Sequence, residues 1–288
     1  MADTLANTQS LKQVIRRCAV CPRQCHVDRT AGQVGACRIG DQAVVASAGP
    51  HFGEEPVLVG SGGSGTIFFS GCNLDCVFCQ NSDISHSAEG QAVTAGKIAA
   101  MALSLQRCGC VNINFVTPTH VAHAMAEAII IARTGGLTAP IVYNCGGYES
   151  VPTLQCLDGL IDIYMPDFKW ADEAAGRKYS GVPNYPTVAT AALAEMYKQV
   201  GPLRTDSRGV ATQGVLVRHL VMPGDLALSR QVVDIVARTA PGCAINVMEQ
   251  YHPAFRASEF PELSDRSDAA CVKSLRDYAK TKSLRLVH

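Results

Sequence analysis

The sequence predicts an α/β fold on a mostly parallel sheet, preceded by a small cysteine-rich extension. Three observations predict it. Apolar runs of strand length alternate with segments of helical apolar period through most of the chain. Polar residues gather just after the strand candidates, where parallel α/β folds place their chemistry. Two tight cysteine groups lie before and just after the first of those strands.

Residues 1–60 are short of apolar periodicity and carry Cys18, Cys21, Cys25 and Cys37, with Gly32, Gly35 and Gly40 marking turns. They are expected to form an extension held by ligation and not by a core of its own. SGGSG at 61–65 reads as a flexible boundary, and TIFFS at 66–70 as a buried strand. Helical patterns follow at 94–109 and 121–136, with strand candidates VNINFV (111–116) and APIVYN (139–144). Next come a short helix at 151–160, the strand and loop IDIYMPDFK (161–169) and a helix at 189–201. The series ends with strand and turn GVLVRHLVMPG (214–224), a helix at 229–240 and the strand AINVMEQYHP (244–253). Residues 61–260 form the expected core and 261–288 a helical tail.

The chain has 288 residues, enough to bury a substantial core. Lys+Arg and Asp+Glu are 25 each, and no basic track suits a phosphate backbone, so nucleic acid is not an expected partner. The apolar fraction is 47%, yet no unbroken run approaches the roughly 18–20 residues of a membrane span. The beginning, MADTLANTQSLKQVIRR, lacks the apolar core of a signal peptide, which makes a cytoplasmic protein the expectation. Seven of the 13 cysteines fall in the two tight groups, a distribution that suits metal ligation better than a disulfide framework.

GCNLDCVFCQN, residues 71–81, places Cys72, Cys76 and Cys79 in a C-x3-C-x2-C spacing. A structural zinc needs a fourth ligand, for which His86 or Asp75 is the available residue. Three thiolates on a [4Fe-4S] cube leave one iron without a protein ligand, the vacancy a cluster needs to act on a small molecule. The earlier group reads C-x2-C-x3-C-x11-C, a four-thiolate set for zinc or for a second [4Fe-4S] cluster, with His26 as a substitute ligand.

The triplet, with Phe78 before its last cysteine, resembles the signature of the radical S-adenosylmethionine (SAM) superfamily. FFSGCNLDCVFCQN, NINFVTPTH, VYNCGGYE, DIYMPDFKW, GVLVRHLVMPG and MEQYHP together resemble the group related to pyruvate formate-lyase activating enzymes, the PflX-like proteins, over approximately residues 15–255. The resemblance implies a partial (β/α)6 TIM-like barrel. It also implies a cluster on Cys72, Cys76 and Cys79 that binds and reductively cleaves SAM, yielding a radical for hydrogen abstraction. Phe78 would cover the cluster or the adenine. Thr117 lies where many superfamily members carry a GGE motif, which this chain lacks, so it is either a SAM contact or the cap of the next helix. Asp167 and Lys169 match the activating-enzyme DLK motif, and His252 its late histidine. Asn144, His219 and Asn246 are further cofactor candidates. Cys145 stands where the group more often has threonine; it faces substrate, donates a hydrogen atom or simply packs. Implied partners are an electron donor such as flavodoxin or ferredoxin and a glycyl-radical protein as substrate. The alternatives are an enzyme modifying a small molecule and a metal-bearing interaction protein without catalysis.

Overall fold

The computed structural model describes residues 2–287. Its strands are β1 Ala43–His51, β2 Ser64–Phe69, β3 Gln91–Val93, β4 Asn112–Val116, β5 Ile141–Cys145, β6 Ile163–Pro166, β7 Arg204–Thr205, β8 Ala211–Leu220, β9 Ala244–Met248 and β10 Arg285–Leu286. They join in the order β3-β1-β2-β4-β5-β6-β8-β9-β10, with β7 added to β8. From β2 to β10 every neighbouring pair along this path is parallel; β1 runs antiparallel to both β2 and β3. Six parallel strands in chain order, β2, β4, β5, β6, β8 and β9, with helices returning between them, make the partial (β/α)6 barrel.

Alternation along these strands separates two environments. Phe115, Tyr143, Tyr164, Val217 and Val247 are buried in the larger apolar core. On β4, β5, β8 and β9 the opposite face carries Asn114 and Asn246 at mid-strand and Asn144 and Arg218 near the C-terminal ends, with the apolar layer of Val142, Ile163, Leu216 and Ala244 on the same face. Helices Ala95–Arg107, Ala122–Thr134, Tyr185–Val200, Ser229–Thr239 and Ala269–Thr281 bury apolar side chains. No helix among the described residues is long and apolar enough to cross a membrane.

Three features differ from the sequence reading. The SGGSG segment is no flexible boundary: Ser64 and Gly65 begin β2, and a Cβ on Gly62 would collide with the Gly109 carbonyl. Close backbone approach, not freedom, requires glycine there. The sheet also crosses residue 60, because β1 and a helix at Ala2–Val14 precede it, and Leu11, Val20 and Ile39 join the main core. Arg29 fastens this region to the barrel: its Nε donates to the Gly40 carbonyl at 2.8 Å and its Nη1 to that of His120 at 2.7 Å. At the other terminus, the expected helical tail ends in β10, which pairs with β9.

Candidate active site

A cavity of about 280 Å³ opens at the C-terminal ends of the parallel strands. Cys72, Cys76, Phe78 and Cys79 line it from the loop after β2. Thr117 follows β4, Asn144 and Cys145 end β5, Asp167 and Lys169 follow β6, and Arg218 lies near the end of β8; all six line the same cavity.

The loop is fixed from below and behind. Gly71 has φ +79° and packs against the Cys37 carbonyl, so a side chain there has no room. The Asn73 side chain donates to the Tyr148 carbonyl at 2.6 Å, while its own carbonyl accepts from Arg23 Nε at 2.7 Å. Asp75 and Val77 N–H groups donate to the Ser180 and Tyr179 carbonyls. Two sulfurs have hydroxyl partners: Cys76 Sγ lies 3.1 Å from Ser180 Oγ and Cys79 Sγ 3.2 Å from Ser85 Oγ. Trp170 Nε1 donates to Ser180 Oγ at 2.8 Å, which leaves the hydroxyl proton free for the Cys76 sulfur. Phe78 packs edge-on to Trp170, with ring centroids 5.6 Å apart, and dries this wall.

Burial pushes the Cys76 thiol up to about 11, against the pull of Lys169, and pushes Cys72 higher still. Without a metal these are neutral thiols; a metal that takes them as thiolates releases their protons. Among the described residues no three His, Cys, Asp or Glu side chains are grouped to hold a single metal ion. A cube does not require that, because each cysteine binds a different iron. Of the candidate fourth zinc ligands, His86 lines the cavity, with its Nε2 3.1 Å from Asp75 Oδ1.

The opposite wall is polar. Lys169 Nζ donates to Asp167 Oδ2 at 2.7 Å, and Arg218 Nε to Asp167 Oδ1 at 3.0 Å. Arg218 Nη2 donates to Asn144 Oδ1 at 2.6 Å. Burial works against the Asp167 charge, but Lys169 and Arg218 outweigh it and hold the carboxyl below its ordinary range. Burial likewise opposes the Lys169 charge and is overcome by Asp167, so the ammonium persists. Lys169 is paired with Asp167, and Arg218 is shared between Asp167 and Glu54 below the cavity. Thr117 has φ +57°, costly for a β-branched residue, and its N–H donates to the Asn144 carbonyl at 2.8 Å. It does not cap a helix: the next helical turn, Thr119–Val121, has Pro118 at its N-cap.

Three expected cofactor contacts do not line the cavity. His219 is fully buried, its Nδ1–H donating to the Phe168 carbonyl at 2.7 Å and its Nε2 accepting from Ser229 Oγ at 2.9 Å. Strand alternation sends it away from its neighbour Arg218, and it positions the backbone between Asp167 and Lys169. Asn246 lies lower in the barrel, donating to Glu55 Oε1 at 2.9 Å. His252 is exposed beside Gln80, 3.3 Å from its Nε2. Cys145 borders the cavity, but its thiol is engaged by Glu149 and burial raises it well above an ordinary thiol, which removes it as a thiolate. Glu149 also accepts from Thr119 Oγ1 at 2.7 Å and Tyr143 OH at 2.9 Å, and burial lifts its carboxyl to about 7.

The N-terminal cysteines belong to the region behind the loop, where the Cys37 carbonyl abuts Gly71. Cys18, Cys21 and Cys37 are buried and Cys25 half-buried. Burial raises the Cys37 thiol and pushes the Cys21 thiol up to about 12. Sequence reasoning missed Arg218, Ser180 and Glu54. Arg218 was inside a quoted motif; the partners of the other two are set by long-range packing that local patterns do not carry.

No protein-family model matches the chain. It is 28% identical over 284 residues to an uncharacterised protein of Methanocaldococcus jannaschii, covering 96% of this chain and 78% of that protein. Among solved structures it is similar to Streptococcus suis SuiB bound to S-adenosylmethionine, with TM-score 0.51 and 12% identity over 75% of this chain and 47% of that one. It is also similar to the FeFe-hydrogenase maturase HydG from Carboxydothermus hydrogenoformans, with TM-score 0.50 and 13% identity over 77% and 57%. The chain spans about half the length of these solved structures. What is shared at such identity is the fold, a partial (β/α)6 barrel.

Proposed function

We propose that the chain is a radical SAM enzyme, with a [4Fe-4S] cluster on Cys72, Cys76 and Cys79 and SAM in the cavity they line. The observation that carries this reading is that three clustered thiols face a wall of Asp167, Lys169 and Arg218 across one cavity at the strand C-termini. The donor set fits: soft thiols held by an ordered loop, two of them with hydroxyl partners. When bound, the cluster supplies an electron for cleavage of SAM to methionine and a 5′-deoxyadenosyl radical that abstracts hydrogen.

The chain's own residues hold and shield. Lys169, Arg218, Asn144 and the Thr117 backbone are polar partners, and Phe78 with Trp170 keeps water from the thiols. Ser180 offers a hydroxyl to the Cys76 sulfur, a means of setting redox potential, while Ser85 Oγ is shared between Cys79 and His86 Nδ1. Cys18, Cys21, Cys25 and Cys37 hold a second [4Fe-4S] cluster or zinc, and pack the extension against the loop. The reductant is a small one-electron carrier of the flavodoxin or ferredoxin kind. The narrower reading, activation of a glycyl-radical protein, rests on the motif resemblance; hydrogen abstraction from a small molecule is the second reading, favoured by the cavity's modest volume.

The test is anaerobic reconstitution followed by iron and sulfide analysis and electron paramagnetic resonance of the reduced protein. About four irons that depend on Cys76, with a spectrum that changes when SAM is added, support the proposal. About eight irons assign a second cube to the N-terminal set, and four with one zinc a mixed arrangement. Zinc alone, bound without iron, contradicts the proposal.

A further inference from the structure

Arg29 is fully buried, yet among the described residues no carboxylate lies within ion-pair distance of it. Its Nε and Nη1 are satisfied by the carbonyls of Gly40 and His120, whereas its Nη2 is buried without a partner. A guanidinium keeps its proton in a protein, so the interior here holds a full positive charge that two neutral carbonyls do not balance. An unpaired buried cation is among the costlier things a core can contain. A trapped water would satisfy the Nη2 donor and leave the charge. The neighbouring His120 and His123 are kept neutral by burial and supply no counter-charge.

The groups beside Arg29 are thiols. Its Nη1 lies 4.0 Å from Cys18 Sγ. Backbone and sulfur contacts tie the other three cysteines to the same corner. Cys18 N–H donates to the Val27 carbonyl at 2.9 Å and its carbonyl accepts from His26 N–H at 3.0 Å, so Cys18 runs beside the two residues that follow Cys25. Gln24 N–H donates to the Cys21 carbonyl at 3.1 Å, which turns the chain between Cys21 and Cys25. Cys25 Sγ accepts from Ala36 N–H at 3.4 Å, immediately before Cys37, and a Cβ on Gly35 would stand 2.9 Å from that sulfur. Buried free thiols are neutral and give Arg29 nothing to pair with. Four thiolates on a zinc ion or on an oxidised [4Fe-4S] cube form a net dianion.

We propose that Arg29 is the counter-cation of a four-thiolate metal centre on Cys18, Cys21, Cys25 and Cys37, a positioning residue that couples metal loading to the docking of the N-terminal region on the barrel. The guanidinium touches Cys18 on one side and the His120 carbonyl on the other. His120 Nε2–H donates to the Ser70 carbonyl at 2.8 Å, just ahead of Gly71 and Cys72. Charge placed on the thiolates is thus met by a residue that also reaches, through His120, the base of the cluster loop. The assignment rests on a metal at these four cysteines and is independent of SAM cleavage.

The experiment compares the full chain as wild type, Arg29→Met, Arg29→Lys and Cys21→Ala, after anaerobic reconstitution with iron and sulfide or loading with zinc. Metal present in wild type and missing from Cys21→Ala defines the centre, and about four irons or about one zinc identifies its core. Iron that depends on Cys76 is counted apart, so failure of the first cluster and failure of this centre are distinguishable. In chelator competition the centre is expected to be about ten- to a hundredfold weaker in Arg29→Met, with Arg29→Lys between it and wild type. The rise in Tm on loading is expected to be smaller in Arg29→Met, because the metal-free variant no longer buries an unpaired charge. Should Arg29→Met fail to fold, Arg29→Gln, which keeps side-chain donors without the charge, takes its place with the same expectation. Unchanged affinity, with the same loss of Tm whether or not metal is bound, would give Arg29 a packing role alone and overturn the proposal. So would a wild-type chain whose metal content does not depend on Cys21.

Discussion

Arg218 and Asp167 meet across β8 and the end of β6, Nε to Oδ1 at 3.0 Å, although 51 positions separate them in sequence. The contact joins the cavity wall to the layer below, since the same guanidinium reaches Asn144 and Glu54.

Arg218→Met leaves Asp167 with Lys169 alone and Glu54 with no cation. Breaking one side of a buried ion pair costs about 3–5 kcal/mol. Urea unfolding of the variant is expected to show a loss of this order, and calorimetry weaker SAM binding to the reconstituted protein. A variant as stable as wild type would place Arg218 in free solvent exchange, against the geometry.

Ser180→Ala removes the hydroxyl between Trp170 Nε1 and Cys76 Sγ. It leaves a buried indole N–H unsatisfied, for about 1–3 kcal/mol of stability. The reconstituted variant is expected to have a more negative cluster potential, because a hydrogen bond to a cluster ligand is lost. Redox titration followed by paramagnetic resonance measures this, and an unchanged potential dissociates Ser180 from the cluster.

Gly147 has φ +78° and sits against the Asp167 carbonyl, whereas Gly159 has φ +77° in open space. Both alanine variants incur the left-handed cost of roughly 1–2 kcal/mol. Only Gly147→Ala adds a backbone collision, so it is expected to be the less stable of the two and to weaken SAM binding. Equal melting temperatures would contradict the tight packing of this loop.

Glu149 supplies a pH signature. Its carboxyl is raised to about 7 by burial, against an ordinary value of 4.5, so between these values the folded chain holds a proton that the unfolded chain has released. Stability from this group is therefore present below the ordinary value and is lost as pH rises through about 7, by on the order of 3 kcal/mol. Denaturation of the cluster-free chain from pH 5 to 8 is expected to show that decline, and Glu149→Gln to flatten it.

Local patterns reveal the βα alternation and the cysteine loop because strands, helices and thiol spacings are short-range features. Cys72, Cys76, Cys79, Phe78, Thr117, Asn144, Cys145, Asp167 and Lys169 share the cavity because each lies at or just beyond a strand's C-terminal end. His219 shows the limit: one position from Arg218, it points to the opposite face, and only the strand register decides which of the two meets Asp167. β1 was illegible for a related reason. Its glycine and proline dilute the strand signal, and its place in the sheet is fixed by pairing with β2. Glu54 and Glu55, which no local pattern marks as buried, are carried into the barrel by that pairing.

The central claim is tested most directly by reducing the anaerobically reconstituted protein with SAM and quantifying 5′-deoxyadenosine and methionine. Equal amounts of both, absent from Cys76→Ala, are the expected result. A sample with a demonstrated, reducible cluster on Cys72, Cys76 and Cys79 that forms neither product would contradict the account.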